Sequence, residues 1–252
     1  MKLFLLTVCV ASAGVAMAAD LPKAEGILDR YVEVTGGRRN YEKRTNEYTS
    51  GTVTVPAAGV TGKVEMWAAA PGSRVEIVEM EGVGRIESGT DGVIAWENSA
   101  IMGPKIRSGL ELRYHIRDAL FNLPIHWRKV YRSAETVAAE KVEGVDCYRI
   151  LMTPHEGKPE TWYFDQETGY LVKMFKSSLT TMGEVNGEFV FRDYKDMDGL
   201  MMPVTQIQKA AQQEIIMKID AVKPNIKMSK DRFTPPAEVK PLLGPPPAKK
   251  AL

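Results

Sequence analysis

The chain has 252 residues, with 33 lysines and arginines against 32 aspartates and glutamates, and only two cysteines. This balance of charge produces no long-range field for nucleic acid or an anionic membrane surface, so we expect no nucleic-acid partner. Cys147 is the single cysteine beyond the N-terminal segment, so no internal disulfide is expected and core packing must hold the fold.

The first 18 residues predict a cleaved signal peptide. Lys2 gives the positive start, residues 3–15 form an apolar stretch, and Ala16-Met17-Ala18 has the small-x-small pattern that signal peptidase requires. The apolar stretch is shorter than the roughly 20 residues that cross a bilayer. Cys9 follows Val8, which does not suit lipid attachment. We therefore expect an exported, soluble periplasmic protein that begins at Ala19.

Two segments have the apolar spacing of helices. Residues 24–35 form the first, and Gly36-Gly37 ends it because glycine adopts the left-handed conformation that closes a helix. Residues 105–122 form the second, with a broad apolar stripe that ends at Leu123-Pro124. We expect the apolar faces of both helices to cover a sheet.

From Thr45 onward the apolar period changes from helical to two, which predicts about ten or eleven short strands joined by hairpins. Strands joined this closely must be antiparallel. The predicted fold class is mainly β (α+β), a strongly curved antiparallel sheet or incomplete β-barrel with the two helices on its concave side. Residues 19–236 form this single domain. Residues 237–252 are rich in proline and predict a disordered tail.

No motif of a catalytic or cofactor site is present. The three histidines, His115, His126 and His155, lack the close spacing of a metal-binding pair. The sequence also lacks a Gly-x-Ser-x-Gly elbow, a phosphate-binding glycine loop and a dinucleotide fingerprint. We therefore predict a protein that is not an enzyme and has no cofactor and no bound metal.

The apolar residues of the strands suggest a cavity. The chain has 13 methionines, whose flexible side chains suit spaces that accept variable acyl chains. A curved sheet under helices can enclose more apolar space than its own side chains fill. Alternation along the hairpin of residues 160–175 and along the neighbouring strand that carries Phe189 and Phe191 places their apolar residues on one face. The candidate ligand-binding residues are Met66, Trp96, Trp162, Phe164, Tyr170, Val172, Met174, Phe189, Phe191 and Met217.

Three motifs resemble those of the periplasmic outer-membrane lipoprotein carrier and sorting proteins, the Lol-type superfamily. Each motif marks strand ends and turns, and the likeness as a whole spans the chain roughly from Leu21 to Pro236. They are Glu160-Thr-Trp-Tyr-Phe-Asp165 with Thr168-Gly-Tyr-Leu171, Phe191-Arg-Asp-Tyr194 with Asp198-Gly-Leu200 and Pro203, and Ile219-Asp-Ala-Val222 with Asn225 and Phe233-x-Pro235.

The resemblance implies an incomplete β-barrel whose helices form a lid over a hydrophobic cavity for acyl chains. It implies a non-enzymatic binding or carrier protein, with lipid or lipoprotein acyl chains and an envelope membrane protein as partners. The alternatives are an envelope sensor and a scaffold module of the same fold that transports no ligand. The cavity-gating basic residue of the carrier and the protruding apolar loop of the membrane receptor have no match here. No individual functional residue is therefore carried over.

Overall fold

The structure of the chain, a computed structural model, describes residues 21–180, 183–229 and 231–244. The predicted signal peptide, residues 1–18, lies outside the described residues, and so do residues 245–252 of the predicted tail. Within the described ranges, no helix combines the length and the apolar character needed to span a membrane.

The described strands form one antiparallel sheet. Their order across the sheet is β6-β5-β4-β3-β2-β1-β13-β12-β11-β10-β9-β8-β7. Two meanders thus meet where β1 pairs with β13, and β6 and β7 form the two open edges. The predicted mainly-β fold class is confirmed. The strands are β1 Asn46–Val55, β2 Val60–Ala69, β3 Ser73–Met80, β4 Gly84–Thr90, β5 Ala95–Ser99, β6 Gly103–Ile106, β7 Tyr131–Val142, β8 Val145–Pro154, β9 Glu160–Asp165, β10 Leu171–Thr180, β11 Gly183–Asp196, β12 Met201–Ala210 and β13 Gln213–Pro224.

Short helices accompany the sheet, and the two longest lie on its concave side. The first predicted helix is confirmed, but the second is shorter than predicted. Its expected start, Lys105, belongs to β6, and Asn122 adopts a left-handed conformation (φ 55°) that interrupts the helical path. The α-helices are α1 Ala24–Val34, α2 Arg38–Lys43, α3 Gly109–Asp118 and α4 Leu123–His126; the 3-10 turns are Pro56–Ala58, Trp127–Lys129 and Lys240–Leu243.

One half of the concave face, formed by β7–β10, is a packed core beneath α1. Ile27 and Leu28 of α1 are buried against Ile150, and the ring of Tyr31 meets that of Phe164 edge-on at 5.5 Å. The helix presents apolar residues at every third or fourth position and the strands at every second position, so each forms an apolar surface and the two surfaces interdigitate. This half of the structure is filled by the protein's own side chains.

The convex face of β2–β6 is covered by the C-terminal segment. Val75 and Trp96 point to this face and are completely buried, together with Val239. Phe233 packs on the same cluster, and Arg232 lies 4.1 Å above the ring of Trp67. Residues 237–244, which the sequence assigned to the tail, include Val239 of this cluster. The strands are apolar on both faces here, and the C-terminal residues provide the cover that the outer face requires.

A concave ligand-sized cavity beneath helix α3

The other half of the concave face forms a partly open cavity of about 670 Å³, between α3 and strands β1–β4 and β10–β13. Small-molecule sites in proteins usually measure about 300–1,000 Å³. The apolar side chains that line it are Val53, Val55, Val64, Val78, Met80, Ile86, Ala119, Met174, Phe189, Phe191, Ile207, Ile215 and Met217; the polar ones are Arg74, Glu76, Ser88, Arg107, His115, Asp118, Lys176, Ser178, Gln206 and Gln208.

The apolar floor of the cavity follows from the period of the strands. Val53 of β1 lies opposite Met217 of β13, and Val64 of β2 lies opposite Val78 of β3. Residues directly opposite in neighbouring strands share a face, so all four side chains point to the concave side. The floor therefore extends across the seam between the two meanders.

Ion pairs at both ends of helix α3 hold the helix across the cavity. Near its start, Arg107 contacts Glu111 of the helix and Glu97 of β5, each at 2.5 Å. At its end, Asp118 accepts from Lys176 of β10 at 2.8 Å. The helix thus connects strand β5 on one side of the concave face to strand β10 on the other, and the cavity lies beneath it.

A buried carboxylate anchors the end of α3. Glu160 is 1% exposed and lies 3.1 Å from Arg117 of the helix. It also accepts hydrogen bonds from Tyr131 Oη at 2.7 Å and Trp162 Nε1 at 3.2 Å. Burial, followed by the charge of Glu160, raises the pKa of Tyr131 well above its usual value, so the hydroxyl stays protonated and donates. Both hydrogen bonds go to Oε2 of Glu160, and Oε1 is stabilised by the ion pair with Arg117 alone.

The wall under α3 is charged and titratable. Arg74 pairs with Glu76 at 2.6 Å on β3, and His115 of α3 faces them. Burial, followed by repulsion from Arg107 and Arg74, lowers the pKa of His115 to about 4, although Asp118 and Glu76 act in the opposite direction. The imidazole is therefore neutral at pH 7.

This depressed pKa predicts acid sensitivity. In the unfolded chain, His115 takes up a proton near its ordinary pKa of 6.5, well before the folded protein does. Stability therefore falls as pH drops from about 7 to 4, because the unfolded state binds more protons. We expect His115→Gln to reduce this loss by about 2 kcal/mol. Urea unfolding of parent and variant at pH 7 and pH 4.5 measures the loss of stability in each. Identical losses in the two proteins would contradict this prediction.

Of the predicted cavity residues, four line this cavity: Met174, Phe189, Phe191 and Met217. Met66 lines an adjoining recess, which it shares with Met217. The structure thus brings four of the ten candidates together around one cavity and a fifth beside it. Their role as ligand contacts stays a prediction.

The other five candidates lie elsewhere. Trp162 and Phe164 belong to the packed core under α1, and Trp96 lies on the convex face. Tyr170 stacks on Tyr194 with ring centroids 4.1 Å apart. Val172 has no partner residue on β9, because the β9–β10 register shifts between residues 171 and 173.

Sequence reasoning missed the charged wall. Arg74 and Glu76 alternate in phase with Val78 and Met80, so all four share the concave face of β3. This alternation of charged and apolar residues along one face was the signal in the sequence that could have revealed the wall. It was hard to recognise because Val75 and Ile77, on the opposite face of the strand, are also apolar and buried, so neither face looks solvent-exposed.

The described residues contain no group of three or more His, Cys, Asp or Glu side chains arranged to hold a metal. Cys147 is completely buried, and burial raises the pKa of its thiol to about 11. A thiol in this state is a poor nucleophile, because the reactive species is the thiolate. Cys147 is therefore a residue of the packed core.

No protein-family model matches the sequence, and no curated protein matches it. Solved structures do. A LolA superfamily protein from Nitrosomonas europaea aligns with a TM-score of 0.58 and 13% identity, covering 85% of this chain and 99% of its own. A DUF1329 family protein from Desulfovibrio piger aligns with a TM-score of 0.57 and 12% identity, covering 84% and 98%.

A third solved structure, a domain named as an outer-membrane lipoprotein-sorting protein from Vibrio parahaemolyticus, aligns with a TM-score of 0.52 and 11% identity. It covers 82% of this chain and 97% of its own. The chain therefore has the half-barrel fold of the LolA superfamily, and the resemblance seen in the three motifs is confirmed at the level of the fold. Fold alone does not establish activity.

Proposed function

We propose that the protein is a non-enzymatic binding or carrier protein for a hydrophobic ligand, lipid or lipoprotein acyl chains, in the periplasm. The observation that carries the proposal is the cavity of about 670 Å³, whose floor of valine, isoleucine, methionine and phenylalanine side chains is not filled by the protein. Burial of this apolar floor by a ligand would be favourable.

Several features support this proposal over a scaffold role. A scaffold needs only a filled interior, as β7–β10 have beneath α1, whereas the second half of the concave face is left open. The sequence of residues 1–18 supports export to the compartment in which such a carrier would act. An envelope membrane protein as the source or acceptor of the ligand is part of the proposal.

Filling the cavity with a larger side chain should weaken ligand binding. Met217 points into the cavity, whereas its neighbour Ile216 points to the opposite face of β13. We expect Met217→Trp to weaken binding of the uncharged fluorophore N-phenyl-1-naphthylamine at least tenfold, because the indole occupies the ligand's space. Ile216→Trp is the matched control and should bind as the parent does. Fluorescence titration gives both dissociation constants.

The proposal fails if the parent protein does not bind the fluorophore, or if both tryptophan variants bind it as the parent does. Native mass spectrometry of protein purified from the periplasm gives an independent measurement. We expect a co-purified lipid mass on the parent protein that is reduced or absent on Met217→Trp.

A further inference from the structure

The cavity is divided into an apolar floor and a charged wall. Ten of its 23 lining residues are polar or charged, and those from α3 and β3 lie together beneath the helix. A hydrocarbon chain alone would remove water from these polar groups and give them no new polar contact in return, which is unfavourable. The ligand that fits such a space has a polar part within the cavity as well as an apolar part.

Each cation of the wall already has a carboxylate partner. Arg74 pairs with Glu76 at 2.6 Å, and Lys176 pairs with Asp118 at 2.8 Å. Burial would raise the pKa of Asp118, but Lys176 and Arg117 outweigh this and hold it below its usual value, so the aspartate remains charged. A purely anionic headgroup would meet these carboxylates as well as the cations and would have to displace one of them.

We propose that the cavity binds a single-chain amphiphile with a zwitterionic headgroup, seated beneath α3 against the pairs Arg74–Glu76 and Lys176–Asp118. The cation of the headgroup faces the carboxylates, its anion faces the arginine and lysine, and the chain lies on the floor formed by Val53, Val64, Val78 and Met217. Charge-assisted contacts of both signs then replace hydration without leaving a charge unpaired. This inference rests on the proposed function.

Headgroup preference tests the inference. The three ligands are dodecylphosphocholine, dodecyl phosphate and dodecyltrimethylammonium, which share one chain and differ in headgroup charge. Each is titrated, below its micelle concentration, into the protein loaded with N-phenyl-1-naphthylamine. We expect the phosphocholine to displace the fluorophore at a concentration at least tenfold lower than either of the others.

Two variants should redirect this preference. Glu76→Gln leaves Arg74 without its carboxylate, so dodecyl phosphate should bind at least fivefold tighter than to the parent. Lys176→Met removes one of the two cations that contact Asp118, the other being Arg117, so dodecyltrimethylammonium should bind at least fivefold tighter than to the parent. Glu79→Gln is the matched control: its carboxylate is 57% exposed, lies on the outward face of β3 and pairs with Arg85. It should leave all three affinities unchanged.

The outcomes separate the two proposals. If the parent binds none of the amphiphiles and no fluorophore, the proposed function fails. If it binds all three ligands equally, or binds dodecyl phosphate most tightly, the zwitterion inference is overturned while the carrier proposal stands. Unchanged preferences in both folded charge variants would also overturn it, because headgroup contact with the two pairs would then be excluded.

Discussion

Phe164→Ala is expected to lower the free energy of unfolding by about 3–5 kcal/mol. Phe164 is completely buried on β9, and its ring contacts Tyr31 of α1 edge-on and lies 6.2 Å from the ring of Trp162. The surrounding strands and helix are fixed by hydrogen bonds and cannot close the space. Urea unfolding followed by tryptophan fluorescence measures the loss.

Met174→Ala is the matched comparison. Met174 comes from the neighbouring strand β10 on the same face; its side chain packs on the edge of the core and also borders the cavity. We expect a loss of less than about 1.5 kcal/mol, because truncation widens existing space instead of opening a new void. Equal losses for the two variants would mean that the cavity wall is as tightly packed as the core.

Glu160→Ala is expected to lower the free energy of unfolding by about 3 kcal/mol. The substitution leaves Tyr131 Oη and Trp162 Nε1 without an acceptor and removes one of the two carboxylates that contact Arg117. Buried polar groups that lose their partners carry the full desolvation penalty. Differential scanning calorimetry and urea unfolding measure the effect.

Glu160→Gln isolates the contribution of the charge. The amide oxygen can still accept from Tyr131, so we expect a smaller loss of about 1 kcal/mol. A loss as large as that of the alanine variant would show that the charge facing Arg117, rather than the hydrogen bonds, stabilises this site. No loss in the alanine variant would contradict the role of Glu160 as the anchor of α3.

The sequence was a reliable guide to strands, turns and fold class. The hairpin through Asp165 and Gly169 was predictable because Asp165 accepts from the backbone of its own turn and Gly169 has a positive φ of 80°. These signals are local in the chain. The same kind of signal gave the first helix, which Gly36 and Gly37 end.

Features set by distant parts of the chain were not predictable. The bulge beside Val172 shifts the register between β9 and β10, and period-two counting has no means to detect an inserted residue. Trp96 was assigned to the cavity because nothing in its strand indicates that Phe233 and Val239 cover the outer face. For the same reason only four of the ten candidate residues line the same cavity.

The pairing of β1 with β13 determines when the cavity can exist during folding. Every other strand pair joins neighbours along the chain, whereas this seam unites segments such as Thr45 and Asn225, which are 180 residues apart. Contacts this distant in sequence form slowly, because closing a long loop costs entropy before any contact is gained. Since Val53 and Met217 pair across the seam, the floor of the cavity is assembled only when the two meanders dock, and a half-folded chain has no place for a ligand.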